Sequence, residues 1–146
     1  MPLSLVHPRA RASNSANLTI ANNTNTVVTY DTEVFDTGGL YAAGTPNRFT
    51  ITQAGLYLIT GSIEWSNSTT TGKRTFGIYV NGTLQIAAVD DGITTHTNAV
   101  EQNISALYLL AAADYVQLKA YQTSGGNLDI VQQDYSPIFS IVLIGT

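Results

Sequence analysis

The sequence contains no cysteine, one methionine and two histidines in 146 residues. Without cysteine, the chain has neither a disulfide framework nor a thiolate metal site. Charged side chains are also scarce, at 11% of the residues, compared with about 25% in an average globular domain. No apolar run reaches the roughly 20 residues of a membrane span, and the N-terminal stretch MPLSLVHPRARAS lacks the apolar segment of a signal peptide. These absences predict a protein that is made and folded inside a cell and does not cross a membrane.

The residues that are present indicate an ordered chain with an unusual surface. Hydrophobic residues make up 44% of the sequence, whereas disordered chains combine low hydrophobicity with high charge. We therefore expect much of the surface to be covered by something other than water. The net charge of −4 is unevenly divided, because residues 1–30 carry Arg9 and Arg11 and no acid, while all ten acids follow. Two arginines are too few to indicate nucleic-acid binding, so we predict no nucleic-acid partner.

The pattern of turns and apolar runs divides the chain into an arm and one domain. Residues 1–25 contain Pro2, Pro8 and a polar run without a period, which predicts an extended N-terminal arm with a short strand near Leu18–Ile20. From residue 26 to 146, turn signals recur every ~8–15 residues around β-branched and aromatic runs. The pattern predicts an all-β domain, a jelly-roll β-sandwich of about nine to ten strands. The predicted strands are 26–36, 47–53, 55–66, 73–80, 83–89, 97–110, 115–122, 127–133 and 136–145.

Two turns in this pattern are specific. Asn81-Gly82 predicts a type I′ hairpin, since both central residues of that turn need a positive φ. The run AAAD at 111–114 is interpreted as a turn and not as part of a helix, because the following residues, DYVQLKAY, resume a period of two.

Residues able to perform catalysis are few and are not arranged in a known motif. His7 and His96 have no partner at a recognisable spacing, and no nucleophile elbow, phosphate loop or zinc-protease motif is present. The run DDG at 90–92 is interpreted as a turn, although its carboxylates suit calcium. Glu64 lies within an apolar strand, but a glycosidase needs a second placed carboxylate that the sequence does not identify. We therefore predict no enzyme activity, no cofactor and no metal.

The eight tyrosines allow two interpretations. Exposed tyrosine, asparagine and threonine side chains suit carbohydrate or protein recognition, since rings stack and amides bond hydroxyls. The interpretation favoured for Tyr57, Tyr79 and Tyr115 is that they fill a sandwich core or an oligomer seam.

One predicted strand is apolar on both faces. In FTITQAGLYLITGSIEW (49–65), Tyr57, Ile59 and Trp65 share one face, and Leu56 and Leu58 lie on the other. A half-buried strand in a small domain should alternate apolar and polar side chains. Both faces of this strand are therefore expected to be covered.

The same stretch resembles a strand signature of the jelly-roll superfamily of complement-q and tumour-necrosis-factor proteins. The signature residues are Phe49, Gly55 and Tyr57, and VFDTGGLYAAGTPNRF upstream and YVNGTLQ downstream are similar to the segments that flank it. SALYLLAAADYVQLKAY, with Asp114, and the closing SPIFSIVLIG, with Phe139, also resemble the family. The resemblance covers residues 26–145 and implies a homotrimer in which one sheet of each subunit is buried. The residues predicted for the trimer interface are Tyr57, Ile59, Trp65, Tyr115 and Phe139.

Short trimeric jelly rolls that resemble this family occur among tailed-bacteriophage virion proteins, which implies a function. We predict a capsid decoration protein on the exterior of the virion, made in the host cytoplasm, that binds and stabilises the lattice of the major capsid protein. Its N-terminal arm would be the anchor, and the predicted capsid-binding residues are Leu3, Leu5, Val6, His7, Arg9 and Arg11. The alternative is the tip of a phage tail or head fibre that binds a host surface glycan or protein. A soluble ligand or lectin is a third possibility.

Overall fold

The computed structural model describes residues 7–93 and 98–146, and in these residues the chain forms twelve β-strands and no helix. This confirms the predicted all-β class. Over the same ranges, no helical segment has the length and hydropathy needed to cross a bilayer. The strands are β1 (Arg9–Ser13), β2 (Leu18–Ile20), β3 (Thr26–Val27), β4 (Thr32–Asp36), β5 (Phe49–Thr50), β6 (Gly55–Trp65), β7 (Gly72–Val80), β8 (Leu84–Ile93), β9 (Val100–Leu110), β10 (Tyr115–Gln122), β11 (Leu128–Ile130) and β12 (Ile138–Gly145).

The strands form two antiparallel sheets that enclose one core. In the seven-stranded sheet the order is β2-β11-β6-β12-β1-β4. β9 also belongs to this sheet and pairs with β6 along its whole length. In the five-stranded sheet the order is β3-β10-β7-β8, and β5 pairs with β10. Phe49 from one sheet stacks on Phe139 from the other at 4.2 Å between ring centroids, and Tyr30 lies at 5.4 Å from Phe139. The two sheets therefore meet through aromatic rings at the centre of the sandwich.

Gly61 allows the two sheets to approach closely at one point. A Cβ on this residue would lie 2.6 Å from a methyl group of Leu118 and 3.0 Å from the ring of Phe76, both in the facing sheet. Cβ atoms seldom approach carbon atoms this closely, so a larger residue at this position would force Leu118 and Phe76 to shift in the packed core.

The predicted hairpin at Asn81-Gly82 and the turn at 111–114 are confirmed. Asn81 has a φ of 51° and Gly82 a φ of 75°, as a type I′ turn requires. The Asp114 carboxylate accepts hydrogen bonds from the Asn81 side chain at 2.8 Å and from the Ala111 amide at 2.9 Å. These bonds connect the two turns at one end of the sandwich, and they lower the pKa of Asp114.

Two of the predicted strand boundaries are wrong. The predicted strand 26–36 is interrupted, and its halves, β3 and β4, belong to different sheets. The run at 90–92 is not a turn, because β8 continues through it to Ile93. Asp90 accepts a hydrogen bond from Thr75 and forms an ion pair with Lys73 at 3.3 Å. Cross-strand partners on β7 thus hold these acids in a strand, which local turn propensity does not reveal.

The prediction of an extended arm over residues 1–25, with the domain starting at 26, is also wrong for the part that the structure describes. β1 lies inside the seven-stranded sheet between β12 and β4, and Ala10 and Ala12 are completely buried. β2 pairs with β11, so the short strand near Leu18–Ile20 is confirmed. The sequence RARAS gives little strand signal because only alanine methyl groups face the core. Leu3, Leu5 and Val6 lie outside the described residues.

Candidate functional site

The seven-stranded sheet has one side on the core and one side facing away from the chain. Along β6, the buried side chains alternate from Tyr57 to Trp65, so the residues between them point outwards. β9 and β12 pair in register with β6 and follow the same alternation. We call this side the outward face. Its residues include Leu56, Leu58, Thr60 and Ser62 of β6, Ser105, Leu107 and Leu109 of β9, and Ser140, Val142 and Ile144 of β12.

Strand pairing orders these residues in levels across the sheet. Leu58 is level with Leu107 on one side and with Val142 on the other, and Val142 is level with Arg9. The next level consists of Ser105, Thr60, Ser140 and Arg11. The outward face therefore has an apolar end, followed by a row of hydroxyl groups, with the two arginines of β1 along one side.

The other end of the outward face is covered by the chain itself. The loop 131–137 folds over Glu64, which is 7% exposed. The Tyr135 hydroxyl donates a hydrogen bond to the Glu64 carboxylate, and the Glu64 amide donates to Ser136 Oγ at 2.7 Å. The Glu64 carboxylate raises the pKa of Tyr135 to about 12. Because the loop 131–137 covers this end of the outward face, the apolar end is the region that stays accessible.

Three shallow grooves follow the outward face. The most apolar has a volume of about 170 Å³, and Phe35, Leu58 and Val142 flank it. The others, of about 350 and 310 Å³, lie beside Asn103 and beside Arg11. A corrugated apolar surface of this kind can bind another protein surface by side-chain interdigitation.

The structure places four of the five predicted interface residues in the core instead. Tyr57, Ile59, Trp65 and Phe139 are each 0% exposed within a single chain. Their side chains fill the sandwich and have no free surface for a neighbour, so the assignment of these four to a subunit interface is wrong. The physical reason is that the five-stranded sheet of the same chain covers the side of the seven-stranded sheet from which these four side chains project.

The fifth predicted interface residue, Tyr115, lies on the outer side of the five-stranded sheet. The Arg48 guanidinium carbon lies 4.6 Å from its ring centroid, and the Lys119 ammonium group lies at the same distance from the ring of Tyr79. Lys119 also donates a hydrogen bond to the Gly82 carbonyl at 2.6 Å. Both rings are therefore covered by cations of the same chain, and these cation–π contacts stabilise the outer side of the five-stranded sheet.

Of the six predicted anchor residues, three are described. His7 is exposed, and Arg9 and Arg11 project from β1 on the outward face. No carboxylate of the described residues lies within salt-bridge distance of either arginine. The structure therefore brings these two residues to the same surface as the leucines of β6 and β9, which sequence reasoning had not connected with them.

The buried polar side chains around Arg74 and Gln102 bond to groups of the sandwich itself. No group of three or more His, Cys, Asp or Glu side chains in residues 7–93 and 98–146 is arranged to hold a metal ion. Arg74 is buried, and burial lowers its pKa, but its guanidinium donates to the Lys73 carbonyl at 3.1 Å. Gln102 connects it to the core, because it bonds the Arg74 carbonyl at 3.0 Å and the Trp65 indole at 2.8 Å. This network is part of the sandwich.

A cavity larger than the three grooves lies at one end of the sandwich and has no charged side chain in its lining. It has a volume of about 440 Å³ and is formed by the β6–β7 and β10–β11 loops. Its lining is almost entirely amide and hydroxyl groups, from Asn67, Ser68, Thr69, Thr70, Ser124 and Asn127, with Leu128 and Gly126.

The fold is the jelly roll of tumour-necrosis-factor and complement-q domains. No family model and no curated protein sequence matches the chain. Among solved structures, the globular domain of zebrafish complement 1qA is similar with a TM-score of 0.66 at 13% identity, over 94% of this chain and 97% of that one. Murine APRIL is similar with a TM-score of 0.66 at 13% identity, over 94% and 99% of the two chains. Eiger TNF from S. frugiperda has a TM-score of 0.63 at 11% identity, over 95% and 93%.

Proposed function

We propose that this chain is the subunit of a homotrimer that acts by binding and not by catalysis. The observation that carries the proposal is the outward face. Among the described residues, seven large hydrophobic side chains are exposed, and four of them, Phe35, Leu107, Leu109 and Ile144, belong to the seven-stranded sheet, with Leu107 and Leu109 at one edge and Phe35 at the other. Monomeric soluble proteins seldom expose such a patch, whereas subunit interfaces are apolar at their centre. Three subunits are the number that the tumour-necrosis-factor and complement-q resemblance implies.

The oligomer is tested directly by its mass in solution. Size-exclusion chromatography with light scattering should give three times the chain mass of 15.6 kDa at micromolar concentration. A mass of one chain at all concentrations up to the millimolar range would refute the trimer.

We propose further that the trimer decorates a virus capsid and stabilises its lattice. Support comes from the sequence resemblance to a jelly-roll superfamily whose short trimeric relatives occur in phage virions, and from avidity, because three weak attachments on one trimer add to a strong one. A ligand that binds only the assembled shell stabilises it by mass action. The N-terminal residues Leu3, Leu5 and Val6 remain the proposed anchors, whereas Arg9 and Arg11 belong to the sheet.

The position of β1 determines how the anchor must be tested. A deletion of residues 2–6 leaves Pro8 and β1 in place, whereas a longer deletion would remove a strand from the sheet. We expect the 2–6 deletion to remain trimeric and to lose co-sedimentation with capsids. A control in which Leu3, Leu5 and Val6 are kept and only the other residues of the segment are replaced should still bind. Unchanged binding of the deletion variant would exclude the anchor.

A fibre tip that binds a glycan is the second candidate, and one observation favours it. The uncharged cavity of about 440 Å³ presents amide and hydroxyl groups, which suit the hydroxyl groups of a neutral sugar. The experiment is a glycan array with the wild type and Asn127→Ala. Binding that the substitution abolishes would support a fibre tip, and an array without any signal would leave the decoration role as the better proposal.

A further inference from the structure

Asn81 and Gly82 form the central pair of the β7–β8 hairpin, and they are the only Asn-Gly dipeptide in the sequence. Asparagine is a thermolabile residue, because the backbone nitrogen of the following residue can attack its side-chain carbonyl carbon. Glycine at the next position favours this attack, since it has no side chain that hinders the approach of its nitrogen. On sequence alone, Asn81 is therefore the asparagine of this chain most prone to lose its amide group.

The reaction takes place in two steps and consumes one water molecule. A bond forms between the Gly82 nitrogen and Asn81 Cγ, the bond from Cγ to Nδ2 breaks, and ammonia leaves with the proton of the Gly82 nitrogen. Water then opens the five-membered succinimide ring at one of its two carbonyl carbons. The product is aspartate when the bond from Cγ to the Gly82 nitrogen breaks. When the other bond to that nitrogen breaks, the product is isoaspartate, which has one more carbon atom in the backbone.

In the folded chain, the neighbouring turn holds both ends of the Asn81 carboxamide. Nδ2 donates a hydrogen bond to the Asp114 carboxylate at 2.8 Å, and Oδ1 accepts one from the Tyr115 amide at 3.0 Å. The Asn81 amide also donates to the Tyr115 carbonyl at 2.9 Å. Ring closure requires Asn81 Cγ to turn towards the Gly82 nitrogen, so the two side-chain bonds have to break. The hairpin must therefore open before Asn81 can react.

The modified side chain cannot restore the same contacts. Asp114 already accepts a hydrogen bond from the Ala111 amide with its second oxygen, and the bond from Asn81 is the main reason that the pKa of Asp114 is lowered. With aspartate at position 81, two carboxylates would face each other where a donor and an acceptor now meet, and like charges at this distance repel. With isoaspartate, the additional backbone atom would not fit the two-residue type I′ turn, which has φ values of 51° and 75°.

We propose that Asn81 is a site of spontaneous deamidation that folding controls. The closed hairpin protects the carboxamide, and each opening exposes it to loss of ammonia and attack by water. The product carboxylate then repels Asp114, so a chain that has reacted joins its two turns less firmly than before. The modification records how often this end of the sandwich has opened, and it depends neither on the proposed trimer nor on any other partner.

The rate of the reaction is measured by mass spectrometry of peptides, with and without guanidinium chloride, because the product differs from asparagine in mass and charge. Asn81 should react at least about tenfold more slowly in the folded than in the unfolded chain, a factor that one or two net hydrogen bonds supply. Asn67 is the internal control, since it is exposed in the β6–β7 loop and is followed by the small residue Ser68. Its rate should change less than about threefold, because exposed loops have little protection to lose. Equal rates for Asn81 in the folded and unfolded chains would overturn the proposal.

The consequence for stability is tested by exchanging the donor and the acceptor. Asn81→Asp, which mimics the product, should lower the urea midpoint of unfolding by roughly 0.5 M. The double variant Asn81→Asp/Asp114→Asn restores a donor opposite a carboxylate, so its midpoint should return to within about 0.2 M of the wild type. Asn67→Asp makes the same change in net charge and should shift the midpoint by less than about 0.2 M. A single variant as stable as the wild type, or a double variant no more stable than the single one, would show that the two carboxylates do not repel and would also overturn the proposal.

Discussion

Truncation of Phe139 tests whether its ring belongs to the core of the subunit or to a subunit interface. Its ring is 0% exposed, stacks on Phe49 at 4.2 Å and contacts Tyr30 at 5.4 Å. Removal of a buried phenyl ring typically costs about 3–5 kcal/mol, and aromatic pairs contribute roughly 0.5–1.5 kcal/mol beyond burial. Phe139→Ala should therefore lose an amount near the upper part of that range. With a urea m-value of about 2 kcal/mol/M, the midpoint of unfolding should fall by roughly 2 M.

The assay is urea unfolding followed by tryptophan fluorescence, since Trp65 is the only tryptophan and is buried. Leu84→Ala is the control, because an exposed leucine should change stability by no more than about 0.5 kcal/mol. The loss in Phe139→Ala should appear as unfolding of the subunit, with no change in the concentration at which folded subunits separate. A loss below about 1 kcal/mol, or dissociation into folded monomers, would refute the placement of this ring in the core.

Three further predictions follow from single contacts. The Tyr135–Glu64 hydrogen bond should contribute its full stability below about pH 10, where tyrosine is neutral in both the folded and the unfolded protein. This stability should be lost as the pH rises through about 12. In unfolding experiments, Tyr135→Phe should therefore remove the loss of stability at alkaline pH. The pKa of Asp114 is lowered by its hydrogen bonds, so its contribution should be present above about pH 4 and fade in more acidic solution; Asp114→Asn should destabilise the protein at pH 7 more than at pH 2.5. Gly61→Ala should cost about 1–3 kcal/mol by overpacking, measured by urea unfolding; an unchanged midpoint would contradict the close approach of the sheets.

The fold could be predicted from the sequence because its signals are local. Alternating apolar residues, the Asn81-Gly82 turn and the order of the motifs do not depend on which strands become neighbours. The split between β3 and β4 was not visible, because both segments have strand propensity and only pairing with different sheets separates them. The strand β1 was missed for a related reason. Two alanines facing a core carry almost no hydrophobic signal, although their small size lets that strand lie between its two neighbours.

The candidate site was predicted in outline but assigned to the wrong side chains. The two-faced strand predicted that both sides of β6 are covered, and Leu56 and Leu58 were placed together on the second side. Tyr57, Ile59 and Trp65 of the first side were then assigned to the trimer that the resemblance implies. A sequence cannot show which side of a strand is enclosed by its own chain, and here the sandwich takes the aromatic side. Leu107 and Leu109 could have been recognised from the sequence, because they are two residues apart in a predicted strand whose alternate residues are also apolar.

The position of β1 also changes what its arginines can do. Their lack of a carboxylate partner in the described part of the chain was compatible with an anchor on another protein, as the sequence suggested. In the sheet, however, Arg9 is level with Leu58 and Leu107, at the rim of the apolar groove of the outward face. β1 therefore holds Arg9 and Arg11 on the same surface as the exposed leucines. A flexible anchor that reaches another protein would have to use residues outside the sheet, because pulling β1 away would leave the buried Ala10 and Ala12 without their neighbours.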